Sequence, residues 1–199
     1  DKTETLGKKV EIEDILPELL EDKDFFLQSD GGVTLSGGEV MLQADDVAVL
    51  VKKLNEYGIS VLIDTAGCVP YKEFEKLNPL VQGYLFDFKT ANVQNYREIG
   101  GDLETVTQNL TRLISDGANV QVRIPLIPHF NTDADSILEI CKHLKAIGIG
   151  EVELLPFHRL GSAKYEALGL DYQYKNQEPL SKDKLDEIIK QYSKYFKVI

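Results

Sequence analysis

Residues 59–89 read ISVLIDTAGCVPYKEFEKLNPLVQGYLFDFK, and this stretch decides the fold. Two β-rich runs, Ile59 to Ile63 and Gly83 to Phe88, flank a short helical pattern near Tyr71 to Leu77. Strands separated by a whole helix cannot close as a hairpin, so the pair must run parallel with the helix as its crossover. Each run also exits into a carboxylate: Asp64 follows Val61-Leu62-Ile63, and Asp87 follows Tyr84-Leu85-Phe86.

The same rhythm extends in both directions. Upstream, Val33 to Leu35 is expected as a strand closed by Ser36-Gly37-Gly38, and Asp45 to Tyr57 as a helix that Gly58 stops. Before them, Ile12 to Phe26 sets Ile12, Ile15, Leu16, Leu19 and Leu20 on one helical stripe, broken by Gly31 and Gly32. Downstream come a helix from Leu103 to Asp116, a strand Asn119 to Ile127, a helix Ala134 to Ile147, a strand Glu151 to Leu155 and a last helix Lys182 to Tyr195. Strands alternating with helices predict an α/β fold, either a barrel or a doubly wound open sheet. At 199 residues a single domain over 1–199 is expected, with a polar tail at 1–9. The connection 161–178, carrying Tyr165, Tyr172 and Tyr174, is long enough to be functional or mobile.

Composition narrows the classes. A net charge of −11 argues against broad attraction to nucleic acid, and no apolar run is long enough to cross a membrane. No basic-then-apolar leader opens the chain, and it begins without an initiator Met, as expected for a piece of a longer protein. Two cysteines, Cys68 and Cys141, make no disulfide framework; they read as small hydrophobes in a reducing cytoplasm.

In parallel α/β folds ligands gather at the carboxyl ends of strands. The five expected exits carry Ser36-Gly37-Gly38-Glu39, Asp64-Thr65-Ala66-Gly67, Asp87-Phe88-Lys89, the segment from Arg123 to His129, and Pro156-Phe157-His158. Gly37 and Gly38 let backbone approach a ligand, with Glu39 placed to accept from an ammonium; a plain tight turn is the other reading. Asp64 and Asp87 face one mouth and repel unless a cation lies between them, although Asp64 also suits a cap of the following turn. Lys89 shares a strand face with Asp87, and either holds a ligand carboxylate or makes a structural ion pair. Arg123 sits inside a strand, where its charge needs an anionic ligand or an ion pair with Asp87. His158 gains weight from its place at this mouth, whereas His143, on a helix with Glu139, Lys142 and Lys145, reads as exposed surface.

Five ordered blocks carry a resemblance over nearly the whole chain. Residues 31–39 (GGVTLSGGE), 63–67 (IDTAG), 86–89 (FDFK), 123–125 (RIP) and 154–161 (LLPFHRLG) resemble the glycyl radical enzyme activating proteins, the pyruvate formate-lyase activating family of radical S-adenosylmethionine enzymes. That resemblance implies a partial (β/α)6 TIM-like radical SAM barrel, here missing its first strand. It implies S-adenosylmethionine bound by Gly37, Gly38 and Glu39 at the amino group, by Asp87, the Phe88 backbone and Lys89 at the methionine end, with Arg123 nearby, and by His158 at the nucleoside. A monovalent cation is implied at Asp64, Thr65, Asp87 and the Leu85 carbonyl.

The family's four-iron four-sulfur cluster is held by CxxxCxxC, a triplet this sequence lacks, so that segment is expected upstream and no catalytic residue is expected within the chain. A full-length parent of this kind takes an electron from a donor such as flavodoxin or ferredoxin. It cleaves S-adenosylmethionine to a 5′-deoxyadenosyl radical and abstracts hydrogen from a backbone glycine of a glycyl radical enzyme such as formate C-acetyltransferase, in anaerobic cytoplasmic metabolism. The piece alone is expected to be inactive. The pattern departs from the family at Val40, where proline is common, and at His129, where glycine usually follows Pro128. Two other classes stay open: a non-catalytic S-adenosylmethionine or partner-binding module, and a barrel aldolase with Lys89 as Schiff-base amine.

Overall fold

The computed structural model describes residues 7–158, 169, 171 and 174–199. Among them, β1 (Gly32–Leu35), β2 (Ser60–Thr65), β3 (Gly83–Asp87), β4 (Val120–Leu126), β5 (Glu151–Pro156) and β6 (Lys197–Val198) form one parallel sheet in the order β1-β2-β3-β4-β5-β6. A doubly wound sheet reverses its order at a switch point, whereas strict succession is how a barrel winds. The open choice between the two is settled in favour of the partial barrel.

Helices α1 (Ile12–Glu21), α2 (Lys23–Ser29), α3 (Ala44–Glu56), α4 (Tyr71–Leu77), α5 (Val93–Glu98), α6 (Leu103–Ser115), α7 (Ala134–Ile147) and α8 (Lys182–Tyr192) fill the connections. Several start where a short polar side chain satisfies the first free amides. Asp102 accepts from Thr105 N–H, Asp133 from Ser136 N–H, and Asn92 from Asn95 N–H.

Alternation along the strands divides the sheet into two unlike faces. Val61 and Ile63 of β2, Tyr84 and Phe86 of β3, and Val122, Ile124 and Leu126 of β4 are buried in the apolar core shared with α3, α4, α6 and α7. The intervening Leu62, Asp64, Leu85, Asp87, Gln121, Arg123 and Pro125 are only half-buried. Parallel register sets Asp64 beside Leu85, Asp87 beside Arg123 and Arg123 beside Glu153, so the polar residues share the inner face.

Four features differ from the sequence reading. The helix expected over Ile12 to Phe26 is two helices parted at Asp22, whose φ −94° and ψ 9° leave the helical basin. The last helix stops at Tyr192 rather than Tyr195. Helix α5 and strand β6 have no counterpart in the sequence pattern, being six and two residues long and too short to show a period. The reading of Arg159, Leu160, Gly161, Tyr165 and Tyr172 lies outside the described residues, as does residues 1–6 of the polar tail.

Candidate functional site

A cavity of about 750 Å³ opens at the carboxyl ends of the strands, and each of the first five exits contributes to its lining. Gly38 and Glu39 follow β1, Ala66 follows β2, Lys89 follows β3, Ile127 follows β4 and Phe157 follows β5. A Cβ built on Gly37 or Gly38 would meet nothing within 4 Å, and Gly37 has φ +155°. The diglycine therefore presents bare backbone to open space, as a ligand cradle requires.

Glu39 is held on three sides. Its Oε1 accepts from Thr65 Oγ1 at 2.8 Å and from Met41 N–H at 3.1 Å, and its Oε2 accepts from Ala66 N–H at 2.9 Å. A carboxylate offers about four acceptor positions, so one on Oε2 is left for a further donor. No Lys or Arg neutralises it among the described residues. Gly67, with φ +72°, closes the turn by donating to Thr65 Oγ1 at 3.0 Å, and a Cβ there would lie 2.1 Å from the Phe86 ring. Only glycine fits.

On the inner face Asp64 and Asp87 have a cation between them, and it is Arg123. Its Nη2 reaches Asp64 Oδ1 at 2.5 Å and Asp87 Oδ1 at 2.8 Å, while Nε donates to Asp87 Oδ1 at 3.1 Å. Ser36 Oγ donates to Asp64 Oδ2 at 3.1 Å, so Asp64 ties two strand exits together instead of capping its own turn. Thr65 turns its hydroxyl to Glu39, away from the acids. Charge balance at this pair is thus met by a side chain. Arg123 takes only Oδ1 of Asp87; Lys89 lies at a looser 3.4 Å from Oδ2, a single long bond that leaves its other ammonium donors uncommitted to Asp87.

The remaining expectations divide. The Phe88 side chain is fully buried, stacked on His143 with centroids 5.3 Å apart and edge-on to Tyr96 at 6.1 Å, while its N–H donates to the Arg123 carbonyl at 2.8 Å. His158 is exposed and does not line the cavity, although Phe157 before it does. His143 is half-buried rather than a surface residue, meeting Thr107 Oγ1 at 2.8 Å, and burial holds its pKa below the ordinary value. Cys141 is in the core, its thiol pushed up to about 11 by burial, whereas Cys68 is half-buried at the cavity wall. His129, directly after Pro128, has a left-handed φ of +62°, a conformation that favours glycine.

Pyruvate formate-lyase 2-activating enzyme of Escherichia coli K12 is 36% identical over 173 residues, covering 86% of this chain and 59% of the relative. Pyruvate formate-lyase-activating enzyme of Clostridium pasteurianum is 34% identical over 186 residues, covering 92% of this chain and 78% of the relative. The chain belongs to the glycyl radical enzyme activating family. It also matches the trans-4-hydroxy-L-proline dehydratase activating enzyme of Clostridioides difficile at 34% identity, spanning 63% of that relative. The chain thus spans about three-fifths to four-fifths of these relatives. No protein-family model matches it.

Solved structures agree on the fold. A domain of pyruvate-formate lyase-activating enzyme from Bacteroides vulgatus superposes with TM-score 0.69 at 21% identity, covering 85% of this chain and 98% of that one. A radical SAM methyltransferase from Sphaerobacter thermophilus gives TM-score 0.72 at 12% identity over 98% of this chain and 58% of that one.

Family membership implies S-adenosylmethionine and a four-iron four-sulfur cluster, and the residues answer differently for each. A zwitterionic ligand fits a cavity with an unneutralised carboxylate, a loosely held ammonium, an open diglycine and apolar walls. The cluster does not fit. Its ligation needs closely spaced thiolates, and this chain has one buried and one half-buried cysteine, distant in sequence. Among the described residues no group of three or more His, Cys, Asp or Glu is arranged to hold a metal ion.

Proposed function

We propose that this chain is the S-adenosylmethionine-binding part of an activase whose protein substrate is a glycyl radical enzyme. One observation carries the reading: Glu39 and Lys89, opposite in charge, line the same cavity beside Gly38. In this reading the Glu39 Oε2 lone pair takes the methionine ammonium and Lys89 takes its carboxylate, while Arg123 keeps Asp64 and Asp87 from repelling that carboxylate. Gly37 and Gly38 admit the methionine backbone, the Phe88 backbone lines the methionine end between Asp87 and Lys89, and His158, exposed just after Phe157, would meet the nucleoside at the cavity's edge. A monovalent cation at Asp64, Thr65, Asp87 and the Leu85 carbonyl is part of the same proposal, and it would have to draw the acids from Arg123 and the Thr65 hydroxyl from Glu39.

When bound, S-adenosylmethionine supplies a 5′-deoxyadenosyl radical for removing hydrogen from a backbone glycine of the partner. The cluster that reduces it belongs, in this proposal, to residues outside this chain, so the chain alone binds and does not react. A flavodoxin or ferredoxin as electron donor and a cytoplasmic setting complete the proposal. Two free cysteines and a net charge of −11 are in keeping with it, as is the lack, among the described residues, of a helix able to cross a membrane.

Titration calorimetry of the chain with S-adenosylmethionine tests the reading. Native chain is expected to bind, and Glu39→Gln and Lys89→Met each to weaken binding about tenfold or more, since a charged hydrogen bond is worth about 1.5–3 kcal/mol. A native chain that does not bind, or variants that bind like it, overturns the site. Electron paramagnetic resonance of a full-length, cluster-loaded parent separates activase from binding module. A cluster signal that S-adenosylmethionine leaves unchanged supports the module.

A further inference from the structure

Two asparagines are buried beside the cavity, and neither belongs to the strand-end motifs. Asn131 is fully buried. Its Nδ2 donates to the carbonyls of Lys89 and Pro125, both at 2.7 Å, and its Oδ1 accepts from Ile127 N–H at 2.8 Å. The Lys89 N–H in turn donates to Tyr96 Oη at 3.3 Å. The backbone of Lys89 is therefore gripped at both its N–H and its carbonyl by side chains from outside its own strand.

Asn109 does the matching task on the opposite wall. It projects from α6, is 4% exposed, and donates through Nδ2 to the carbonyls of Gly67 and Val69, both at 2.7 Å. Those carbonyls belong to the turn whose Ala66 N–H and Thr65 hydroxyl orient Glu39. Holding the turn holds the carboxylate.

We infer that Asn131 and Asn109 are positioning residues, one for each charge of the cavity. Asn131 sets Lys89 for a ligand carboxylate, and Asn109 sets Glu39 for a ligand ammonium. A carboxamide suits both places because it brings two donors without a net charge. Alanine removes the donor from two carbonyls at each place, and at Asn131 also the acceptor of the Ile127 N–H, while aspartate turns a further acceptor on the carbonyls. The inference rests on the cavity being the S-adenosylmethionine site.

Three ligands separate the roles: S-adenosylmethionine, its decarboxylated form, which keeps the ammonium and lacks the carboxylate, and methylthioadenosine, which lacks both. Calorimetric affinities of the full chain are compared with those of Asn131→Ala, Asn109→Ala and, as a control for general loosening, Val152→Ala at the amino end of β5. Losing a hydrogen bond to a charged group weakens binding by about tenfold or more, so a loss of that size in affinity is expected where a charge is mis-set.

Asn131→Ala is expected to lose that factor for S-adenosylmethionine alone. Asn109→Ala should lose it for S-adenosylmethionine and the decarboxylated form, with methylthioadenosine unchanged, and Val152→Ala should leave all three native. Asn131→Asp should be worse than alanine, and Tyr96→Phe should repeat the Asn131→Ala pattern more weakly should that variant not fold. Equal losses for all three ligands, or none, overturn the inference alone. A native chain that binds none of them overturns the ligand reading and this inference together.

Discussion

The two faces of the sheet are built from alternate residues of the same strands, yet they obey different rules. Toward the helices, Phe86 and its neighbours Ile63, Tyr84 and Ile124 are buried to 1% exposure or less, each apolar and closely packed. On the inner face Asp64, Asp87, Arg123 and Lys89 keep some exposure and are matched by charge rather than by shape. One face supplies stability, and the other gives up part of it to hold opposite charges against each other near the strand exits. A one-residue slip of register would exchange the two, so the fold and the site are specified by the same pattern.

The largest effect expected comes from breaking the packed face. Phe86→Ala should destabilise by about 3–5 kcal/mol in urea unfolding, whereas the adjacent Leu85→Ala, half-buried on the inner face, should cost only about 1 kcal/mol. Equal losses would show that the faces do not differ.

Removing Arg123 tests the inner face. Arg123→Gln leaves Asp64 and Asp87 facing each other and should cost on the order of 2 kcal/mol, below the fully buried case because the carboxylates retain 25% and 19% side-chain exposure. Added salt should recover part of that loss by screening, and a variant indifferent to both substitution and salt would refute the role.

His129→Gly should raise stability by about 0.5 kcal/mol. Relief of the left-handed backbone, about 1–2 kcal/mol, is partly offset by the greater freedom of glycine in the unfolded chain. A lower urea midpoint would count against this.

The smallest effect is one of pH. Burial lowers the pKa of His143, so the unfolded chain takes up this proton first as pH falls. Its contribution is complete above pH 6.5 and is lost as pH drops toward the lowered folded value, a slope that His143→Gln should flatten between pH 8 and 5.

The repeated strand–helix order was legible because each of the first five strands has a period or an apolar run bounded by glycine or a polar exit. Helix α7 falls on the expected residues, and β2 to β5 lie within one or two residues of their expected ends. Strand β6, two residues long, has no pattern to read and owes its place to β5 beside it.

Within the site, Glu39, Lys89, Asp64 and Asp87 were readable as polar groups at strand exits. The partner of the acids was not fixed, since sequence offers Arg123 either an ion pair or a ligand and only geometry shows it bridging both. Asn109 did leave a trace, as a polar residue on the buried stripe with Leu103, Val106, Leu110 and Leu113. Asn131 left none. Its contacts join three segments of loop and strand end that no local period connects.

The most direct measurement is an experimental structure of the chain with S-adenosylmethionine. The ligand's ammonium should lie within hydrogen-bonding distance of Glu39 Oε2 and its carboxylate beside Lys89 Nζ, with the diglycine against the methionine. A ligand seated elsewhere, or reversed so that its carboxylate meets Glu39, would contradict the account.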